Sequence, residues 1–187
     1  SYVAEGLARA GIGHITLVDA DVVDVTNINR QIPALHSTIG RPKVEVMAER
    51  IRDINPECWV QEEQLFFMPE DETIDFSSYD YVVDAVDTVT AKIESILRAK
   101  QAGVPVISSM GTGNKVNPGM FRITALEKTK VCPLAKVMRK EMRKRGITDV
   151  KVIYSEEEPL SVGGSVSFVP SVAGLMIAGE VVKDILS

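Results

Sequence analysis

Residues 14–31 read HITLVDADVVDVTNINRQ and give the strongest indication of the fold. This stretch opens with a mainly apolar run, which predicts a buried strand, and this strand leads directly into Asp19 and Asp21. A long polar segment at residues 22–42 has no regular periodicity. Apolar residues then recur at three- and four-residue intervals over residues 43–54, as they do in a helix. A strand that is followed by a crossover helix predicts a parallel sheet in an α/β protein.

The rest of the chain repeats this alternation of apolar runs and amphipathic stretches. Helices are predicted at residues 1–10, 91–102, 133–145 and 170–186, and strands at residues 59–65, 81–86, 104–109, 120–125 and 150–154. The strand at 120–125 follows a turn and is expected to pair antiparallel. The pattern therefore predicts a single α/β domain over residues 1–187, with a mostly parallel sheet flanked by helices and an antiparallel extension in its C-terminal part.

The composition is that of an ordinary globular protein. A chain of 187 residues fits one domain, and 45% hydrophobic with 25% charged residues excludes intrinsic disorder. The apolar runs are far shorter than the roughly 20 residues of a membrane helix, so no membrane association is expected. Cys58 and Cys132 lie far apart and form no CxxC pair, which argues against a disulfide framework and a paired-cysteine zinc site. A reducing compartment, and hence a cytoplasmic location, is expected.

Basic residues are concentrated in one segment, although the chain carries a net charge of −5. Residues 128–151 contain nine lysines and arginines against two acidic residues, a local charge of +7 that leaves −12 for the rest. The helix predicted at 133–145 sets an apolar stripe that includes Val137 and Met138 apart from these cations. Such a helix is typical of a solvated surface or of contacts with RNA phosphates. The candidate phosphate-binding residues are Lys136, Arg139, Lys140, Arg143 and Lys144.

Polar residues at the carboxyl ends of the predicted strands are the candidates for a ligand site, because parallel α/β sheets bind ligands at that edge. Asp19 stands where a carboxylate accepts hydrogen bonds from a ribose, although a turn or a helix cap explains the same residue. Arg30 and Lys43 supply two cations for a triphosphate, unless they form an ordinary solvated pair. Asp87 follows a second strand and offers an oxygen ligand suited to Mg²⁺.

Motifs along the whole chain occur in a known order and spacing. They are DADVVDVTNINRQ at 19–31, GRPK at 40–43, RIRDINPE at 50–57, DAVD at 84–87, VPVISSMGTG at 104–113 and PSVAGLMIAGEVVKD at 170–184. In this order the motifs resemble the E1-like adenylating family of ThiF, MoeB and HesA. The resemblance implies a Rossmann-like E1 adenylation fold and an enzyme that uses ATP and Mg²⁺.

Two further segments narrow the resemblance. KTKVCPLAKVMRKEMRKRG at 128–146 and YSEEEPL at 154–160 are most similar to the branch of tRNA threonylcarbamoyladenosine dehydratases. This branch implies that ATP adenylates the carboxylate of N6-threonylcarbamoyladenosine in tRNA. An atom of the same modification would then close a ring with net loss of water. The basic segment would bind the tRNA.

The resemblance also implies roles for individual residues, each carried over by its position in a matching motif. The implied ATP-binding residues are Asp19, Asp21, Asn27, Arg30, Gln31, Lys43 and Asp87. Asp19 would bind the ribose, and Asn27, Arg30 and Lys43 would contact the phosphates. Asp87 would bind magnesium, and Asp21 and Gln31 would support the site. The implied catalytic residues are Arg30, Lys43 and Asp87.

Two parts of the family pattern do not occur in the sequence. Family members open with a strand and a GxGGxG-type loop that presents backbone N–H groups to the phosphates. Residues 1–10 correspond instead to the helix after that loop, so we expect the first strand and the Gly-rich loop to be missing here. The join at residues 160–164 is also short for a segment that usually crosses over the active site.

Two other functions stay open. The first is adenylation of the C-terminus of a ubiquitin-like or sulfur-carrier protein at the same ATP site, although many such enzymes carry two CxxC zinc pairs that this chain lacks. The second is a non-catalytic or NAD-type nucleotide binder, in which Asp19 would keep its role but Arg30, Lys43 and Asp87 would lack a common task. The resemblance further implies a homodimer, with a sulfur-transfer or carrier protein as another candidate partner.

The cysteines and histidines give little evidence of a catalytic role. Cys132 precedes a proline among cations with no histidine nearby in sequence, so a structural role is favoured over a nucleophilic one. His14 and His36 lack a catalytic context. Small residues such as Gly174 and Ala178 give the helix at 170–186 a flat face, suited either to the core of the chain or to a dimer interface.

Overall fold

The computed structural model describes residues 1–161 and 163–187, which form two compact units. The first unit comprises Ser1–Phe67 and Ser165–Ser187, and the second comprises Met68–Gly164. The short join predicted at 160–164 lies in part outside the described residues, because residue 162 is not among them. Whether residues 1–187 act as one domain stays a prediction.

The helices and strands alternate along the chain. In order they are α1 (Tyr2–Arg9), β1 (His14–Val18), α2 (Lys43–Ile54), β2 (Trp59–Glu63), β3 (Val82–Asp84), α3 (Val89–Gln101), β4 (Val106–Ser109), β5 (Phe121–Ala125), α4 (Pro133–Lys144), β6 (Lys151–Ser155) and α5 (Phe168–Leu186). Among the described residues, no helix combines the length and the apolar character that crossing a bilayer requires.

The first unit contains a two-stranded parallel sheet, in which β1 pairs with β2. Ile15 of β1 and Val60 of β2 are buried against Ala48 and Ile51 of α2, as expected when the apolar stripe of a helix covers a sheet. This packing fixes the carboxyl end of β1, where the first candidate site residues begin.

The second unit contains a four-stranded sheet in the order β3-β4-β6-β5. β3, β4 and β6 are parallel, and β5 is antiparallel to β6. The antiparallel pairing predicted for residues 120–125 is therefore present. The partner of β5 is the last strand of the chain, which lies between β5 and β4 in the sheet. The predicted α/β class, with a mostly parallel sheet and an antiparallel extension, is confirmed.

Element boundaries follow the sequence closely where local signals are strong. Helix α2 spans the predicted residues 43–54. The strand predicted at 81–86 is shorter and ends at Asp84, because the Asp84 carboxylate accepts a hydrogen bond from the Val86 N–H at 3.2 Å and starts a turn. This turn leads into α3 and carries Asp87.

The small residues of α5 pack against α1 within the chain. A Cβ atom added at Gly174 would lie 2.7 Å from the Cβ of Tyr2, and one added at Gly6 would lie 2.6 Å from the Cβ of Ala178. Both distances are shorter than a methyl group tolerates, so each glycine permits a close helix crossing. The small-residue face therefore serves the core of the first unit, and the homodimer stays a prediction.

Candidate active site

Lys43, the first residue of α2, is nearly buried, with 9% of its surface exposed. Its Nζ donates a hydrogen bond to Asp21 Oδ2 at 2.7 Å, and its backbone N–H donates to the Asp21 carbonyl at 3.0 Å. The Asp21 side chain remains 68% exposed, so the pair faces solvent on the carboxylate side. The lysine is therefore a fixed cation beside an accessible surface, which suits an interaction with a phosphate oxygen.

The loop between these two residues is closed at its base by backbone hydrogen bonds. The Val23 N–H donates to the Arg41 carbonyl at 2.8 Å, and the Gly40 N–H donates to the Val23 carbonyl at 2.9 Å. Gly40 has a φ of 85°, a left-handed conformation that glycine adopts without strain. The segment predicted as irregular is thus an ordered loop that returns Lys43 to Asp21.

Asp19 follows β1 directly, as predicted. Its N–H donates to the Glu63 carbonyl at 3.2 Å and so extends the pairing of β1 with β2 by one residue. Its Oδ1 accepts the Asp21 N–H at 2.9 Å. The turn role that the sequence left open is therefore present. It uses one carboxylate oxygen, which is compatible with a ribose contact through the other.

Asn27 shapes the loop from inside. Its side chain is nearly buried, and its Oδ1 accepts the Asp24 N–H at 3.2 Å. Its carbonyl accepts the N–H groups of Arg30 and Gln31, at 3.0 Å and 2.9 Å. These bonds give Asn27 a structural role, and its contact with a nucleotide phosphate stays a prediction, as does the supporting role of Gln31.

Arg30 is oriented by neutral oxygen atoms. One of its guanidinium nitrogens donates to the Thr26 carbonyl at 2.6 Å and to Asn29 Oδ1 at 2.9 Å. No carboxylate neutralises Arg30 among the described residues. A guanidinium that is oriented but not neutralised is suited to bind an anion.

Asp87 belongs to the second unit and lies exposed in the turn after β3. The nearby Asp84 is fully buried, with Lys92 Nζ at 2.9 Å and 3.1 Å from its two carboxylate oxygens and Ser108 Oγ donating at 2.5 Å. Burial raises the pKa of the Asp84 carboxyl, and the charge and hydrogen bonds of Lys92 and Ser108 act in the opposite direction. The two carboxylates of the DAVD motif therefore have different environments, one accessible to a ligand and one internal.

The described residues contain no group of three or more His, Cys, Asp or Glu side chains that could enclose a metal ion. Side chains of these four types therefore do not form a closed metal cage in that part of the chain. Mg²⁺ commonly takes one or two carboxylates and completes its octahedron with phosphate oxygens and waters. The single exposed carboxylate of Asp87 fits this second mode.

Helix α4 presents the predicted cations on its outer face. Arg139 donates to the carbonyl and the hydroxyl of Thr129, and Lys144 pairs with Glu141 at 2.7 Å. The pKa of Glu141 falls to about 2, because Lys144 and Arg145 donate hydrogen bonds to its carboxylate.

The three remaining cations have no partner among the described residues and project from one side of α4. They are Lys136, Lys140 and Arg143. Together with Arg139 and Lys144 they line a shallow surface depression of about 390 Å³, which we call the basic groove. One expectation for this helix was wrong, because Val137 is 45% exposed instead of joining the buried stripe. The buried face runs through Ala135, Met138 and Met142, spaced by three and four residues.

The cysteines and histidines do not form a catalytic group in the described residues. Cys132 is a buried free thiol at the start of α4, and Cys58 is buried in the first unit, where burial raises the pKa of its thiol. His14 lies on the exposed end of β1 with its ring 4.1 Å from that of Trp59, and His36 is exposed in the loop. The structural role favoured for Cys132 agrees with its burial.

Sequence reasoning missed Lys92, which is fully buried and paired with Asp84. A signal was available, because Lys92 lies on the same helical face as Ile96 and Ala99, both fully buried. A lysine on an apolar stripe, eight residues after a strand-end aspartate, indicates a buried ion pair.

The α/β scaffold places Asp19 and Lys43 near the carboxyl end of β1, where proteins of this architecture bind ligands. The chain belongs to the ThiF family, which it matches over residues 1–187. It is 44% identical to the tRNA threonylcarbamoyladenosine dehydratase of Bacillus subtilis over an alignment that covers 100% of this chain and 82% of that protein. Identity with the Escherichia coli protein of the same name is 42%, covering 87% of this chain and 59% of the relative.

Solved structures agree with this assignment. The chain superposes on the E. coli tRNA N6-threonylcarbamoyladenosine dehydratase in complex with ATP with a TM-score of 0.91 and 35% identity, covering 99% of this chain and 80% of the other. ATP-bound HcgE from Methanothermobacter marburgensis has a TM-score of 0.77 at 16% identity, which supports the fold alone. The predicted family and its Rossmann-like E1 fold are confirmed.

Proposed function

We propose that this protein catalyses the ATP-dependent dehydration of N6-threonylcarbamoyladenosine in tRNA. The observation that carries the proposal is the 44% identity with the B. subtilis dehydratase across the whole of this chain. The similarity of the fold to an ATP-bound dehydratase supports it, and so does the basic groove of α4.

The proposed chemistry has two steps. A carboxylate oxygen of the modification attacks the α-phosphorus of ATP, and pyrophosphate leaves. The resulting acyl-adenylate is a mixed anhydride, and an atom of the same modification attacks its carbonyl carbon. AMP leaves with one former carboxylate oxygen, so the nucleoside loses one water in total. Because both reacting groups belong to the substrate, no protein nucleophile is needed, and the burial of Cys132 is in keeping with this.

The residues of the first unit have nucleotide-binding roles in this proposal. Asp19 accepts hydrogen bonds from the ribose, while Arg30 and Lys43 stabilise the negative charge that develops on the phosphates. Asp21 supports Lys43 by holding its ammonium at 2.7 Å. Asn27 and Gln31 complete the predicted set through the loop that they share with Arg30.

Asp87 has the metal-binding role in the proposal. When bound, Mg²⁺ neutralises the charge of the phosphates and of the departing pyrophosphate. The exposure of Asp87 and its position in the turn after β3 support this role. The proposal also includes a cytoplasmic location and a homodimer.

The basic groove is proposed to bind the tRNA. Three cations without carboxylate partners on one side of a helix form a local positive field in a chain whose net charge is negative. Contacts of this kind recognise phosphates rather than bases, so they position the tRNA and contribute little to the choice of nucleoside.

Adenylation of a carrier protein remains the second candidate function. Relatives with lower coverage support it, since the adenylyltransferase and sulfurtransferase UBA4 of Vanderwaltozyma polyspora is 36% identical over 58% of this chain. A sulfur-transfer or carrier protein would then be the partner. The third candidate, an NAD-type or non-catalytic nucleotide binder, leaves the cations Arg30 and Lys43 without a common role.

One experiment separates these functions. The complete protein is incubated with Mg²⁺-ATP and tRNA that carries N6-threonylcarbamoyladenosine, and AMP and the mass of the modified nucleoside are followed together. The proposal predicts AMP formation in step with the loss of one water from the nucleoside. An unchanged nucleoside, with ATP–pyrophosphate exchange that depends on a carrier-protein tail, would favour the second function. Binding of NADH in preference to Mg²⁺-ATP would favour the third.

A further inference from the structure

Lys92 is a fully buried cation in the first turn of α3. Its ammonium donates to both carboxylate oxygens of Asp84, at 2.9 Å and 3.1 Å, and to the Ser109 carbonyl at 2.9 Å. Lysine has three N–H donors, and each of them has an acceptor here. The side chain therefore has one fixed position, which ties α3 to the ends of β3 and β4.

Stability alone gives little reason for this pair. Two charges removed from water lose solvation, and apolar residues of similar volume are often equally stable in their place. The position of Lys92 adds to this cost, because the N-terminal turn of a helix repels a cation. In some proteins a buried pair of this kind fixes one conformation.

The conformation that it fixes is the turn after β3. Asp84 Oδ1, which accepts from Lys92, also accepts the Val86 N–H at 3.2 Å, and Oδ2 accepts the Ser108 hydroxyl at 2.5 Å. Lys92 therefore fixes the Asp84 carboxylate, and this carboxylate accepts the Val86 N–H. Asp87 is the next residue in the chain. No other charged side chain contacts the Asp84 carboxylate among the described residues.

We propose that Lys92 is a positioning residue, which acts through Asp84 to hold the turn that carries Asp87. Lys92 does not contact the substrate in this account. The consequence for the reaction rests on the proposed Mg²⁺-binding role of Asp87, whereas the effect on the turn does not.

The test replaces the ion pair by a neutral pair, Lys92→Met with Asp84→Asn, in the full chain. Removing only Lys92 would leave a buried, uncompensated carboxylate, whereas the neutral pair is expected to fold. The amide oxygen of the asparagine still offers an acceptor to the Val86 N–H. Hydrogen exchange at the amides of Val86 and Asp87 should become about 10- to 100-fold faster, because this acceptor is no longer held by the Lys92 ammonium. The Mg²⁺ concentration that gives half-maximal AMP formation should rise at least about tenfold.

A matched control comes from the same helix. Arg98 of α3 pairs with Glu94 at 2.7 Å and also contacts the carbonyls of Pro69 and Asp71. Arg98→Met should lower stability without changing the exchange of the turn or the Mg²⁺ dependence by more than about twofold. Ser108→Ala leaves both charges in place and should produce a smaller change of about threefold in the hydrogen exchange of the turn and in the Mg²⁺ dependence. If the double variant does not fold, this variant tests the positioning role in its place.

The two proposals fail in different ways. Unchanged exchange at Val86 and Asp87 in the folded double variant, or in Ser108→Ala if the double variant does not fold, overturns the positioning role whatever the enzyme does. If exchange is faster in the double variant but the unsubstituted protein makes no AMP, the positioning role is supported and the proposed function is rejected. Faster exchange with an unchanged Mg²⁺ dependence shows that the turn moves without affecting metal binding, and overturns the link to Asp87.

Discussion

Among single residues, Lys43 is nearly buried, and the exposed carboxylate of Asp21 holds its ammonium group in place. Replacing it by methionine keeps the length of the side chain and removes the cation. We expect Lys43→Met to lower kcat/KM for AMP formation by about 100- to 1000-fold, as the loss of a fixed electrostatic group commonly does. Arg41→Met is the control, since Arg41 forms surface ion pairs with Glu45 and Glu49. A loss below about threefold for Lys43→Met would contradict its phosphate role.

Glu5 links two helices through its charge. Its carboxylate accepts hydrogen bonds from Arg50 and Arg9, at 2.5 Å and 2.8 Å, and these bonds lower its pKa below the ordinary value. A lowered pKa contributes stability above the unfolded value of about 4.3, and this contribution is lost as the pH falls.

The prediction is that Glu5→Gln lowers the free energy of unfolding at pH 7 by about 1–2 kcal/mol. The difference from the unmodified protein should shrink between about pH 5 and pH 3, because protonation then removes the same charge. Denaturant unfolding across this pH range measures it. Glu49→Gln, at an exposed ion pair, should leave stability nearly unchanged across this pH range. A difference that does not depend on pH would contradict the charge account.

Where the signal is local, the sequence predicts the place of a residue in the fold. Asp19 follows β1 and Lys43 begins α2, as the periodicity indicates, whereas their ligand contacts stay predictions. Lys92 was missed and Val137 was misplaced, because the burial of a side chain depends on which face of a helix meets the rest of the fold. That choice is made by tertiary packing, which a single helical period does not specify.

At the scale of elements, the crossing of α1 and α5 depends on glycine. Gly174→Ala would place a methyl group 2.7 Å from the Cβ of Tyr2, and we expect it to destabilise the protein by about 1–3 kcal/mol. Gly179→Ala in the same helix meets nothing within 4 Å and should be neutral or stabilise by up to about 1 kcal/mol, since alanine favours helix. Denaturant midpoints compare the two variants. Equal effects would contradict the close crossing.

The proposed RNA-binding role of helix α4 can be tested separately from the adenylation chemistry. Replacing Lys136, Lys140 and Arg143 by glutamine removes the three cations that have no partners, and we expect the salt dependence of tRNA binding to fall by about three charge equivalents. ATP–pyrophosphate exchange at saturating substrate should change little. Arg145→Gln is the control, because Arg145 already pairs with Glu141. If tRNA binding by the triple variant has the same salt dependence as binding by the unsubstituted protein, the basic groove is only a solvated helix face.

The pairing of elements was less predictable than their existence. The antiparallel strand β5 was recognised from its own apolar run, but its partner β6 lies beyond a helix in sequence. Hydrogen bonds between distant strands leave no local periodicity, so the order β3-β4-β6-β5 followed only from the structure. Family motifs supplied the rest of the fold assignment, because they span both units.

At the scale of the whole molecule, the chain concentrates positive charge in residues 128–151 while its net charge is −5. This segregation favours approach of a polyanion in one orientation, and its effect should weaken as salt screens the field.

An oxygen label shows whether the substrate carboxylate is adenylated. The complete protein is given Mg²⁺-ATP and tRNA whose N6-threonylcarbamoyladenosine carries ¹⁸O in its carboxylate. Attack on the α-phosphorus followed by ring closure predicts one ¹⁸O atom in the released AMP and one fewer in the nucleoside. Label in inorganic phosphate with formation of ADP, or AMP without label, would contradict the account.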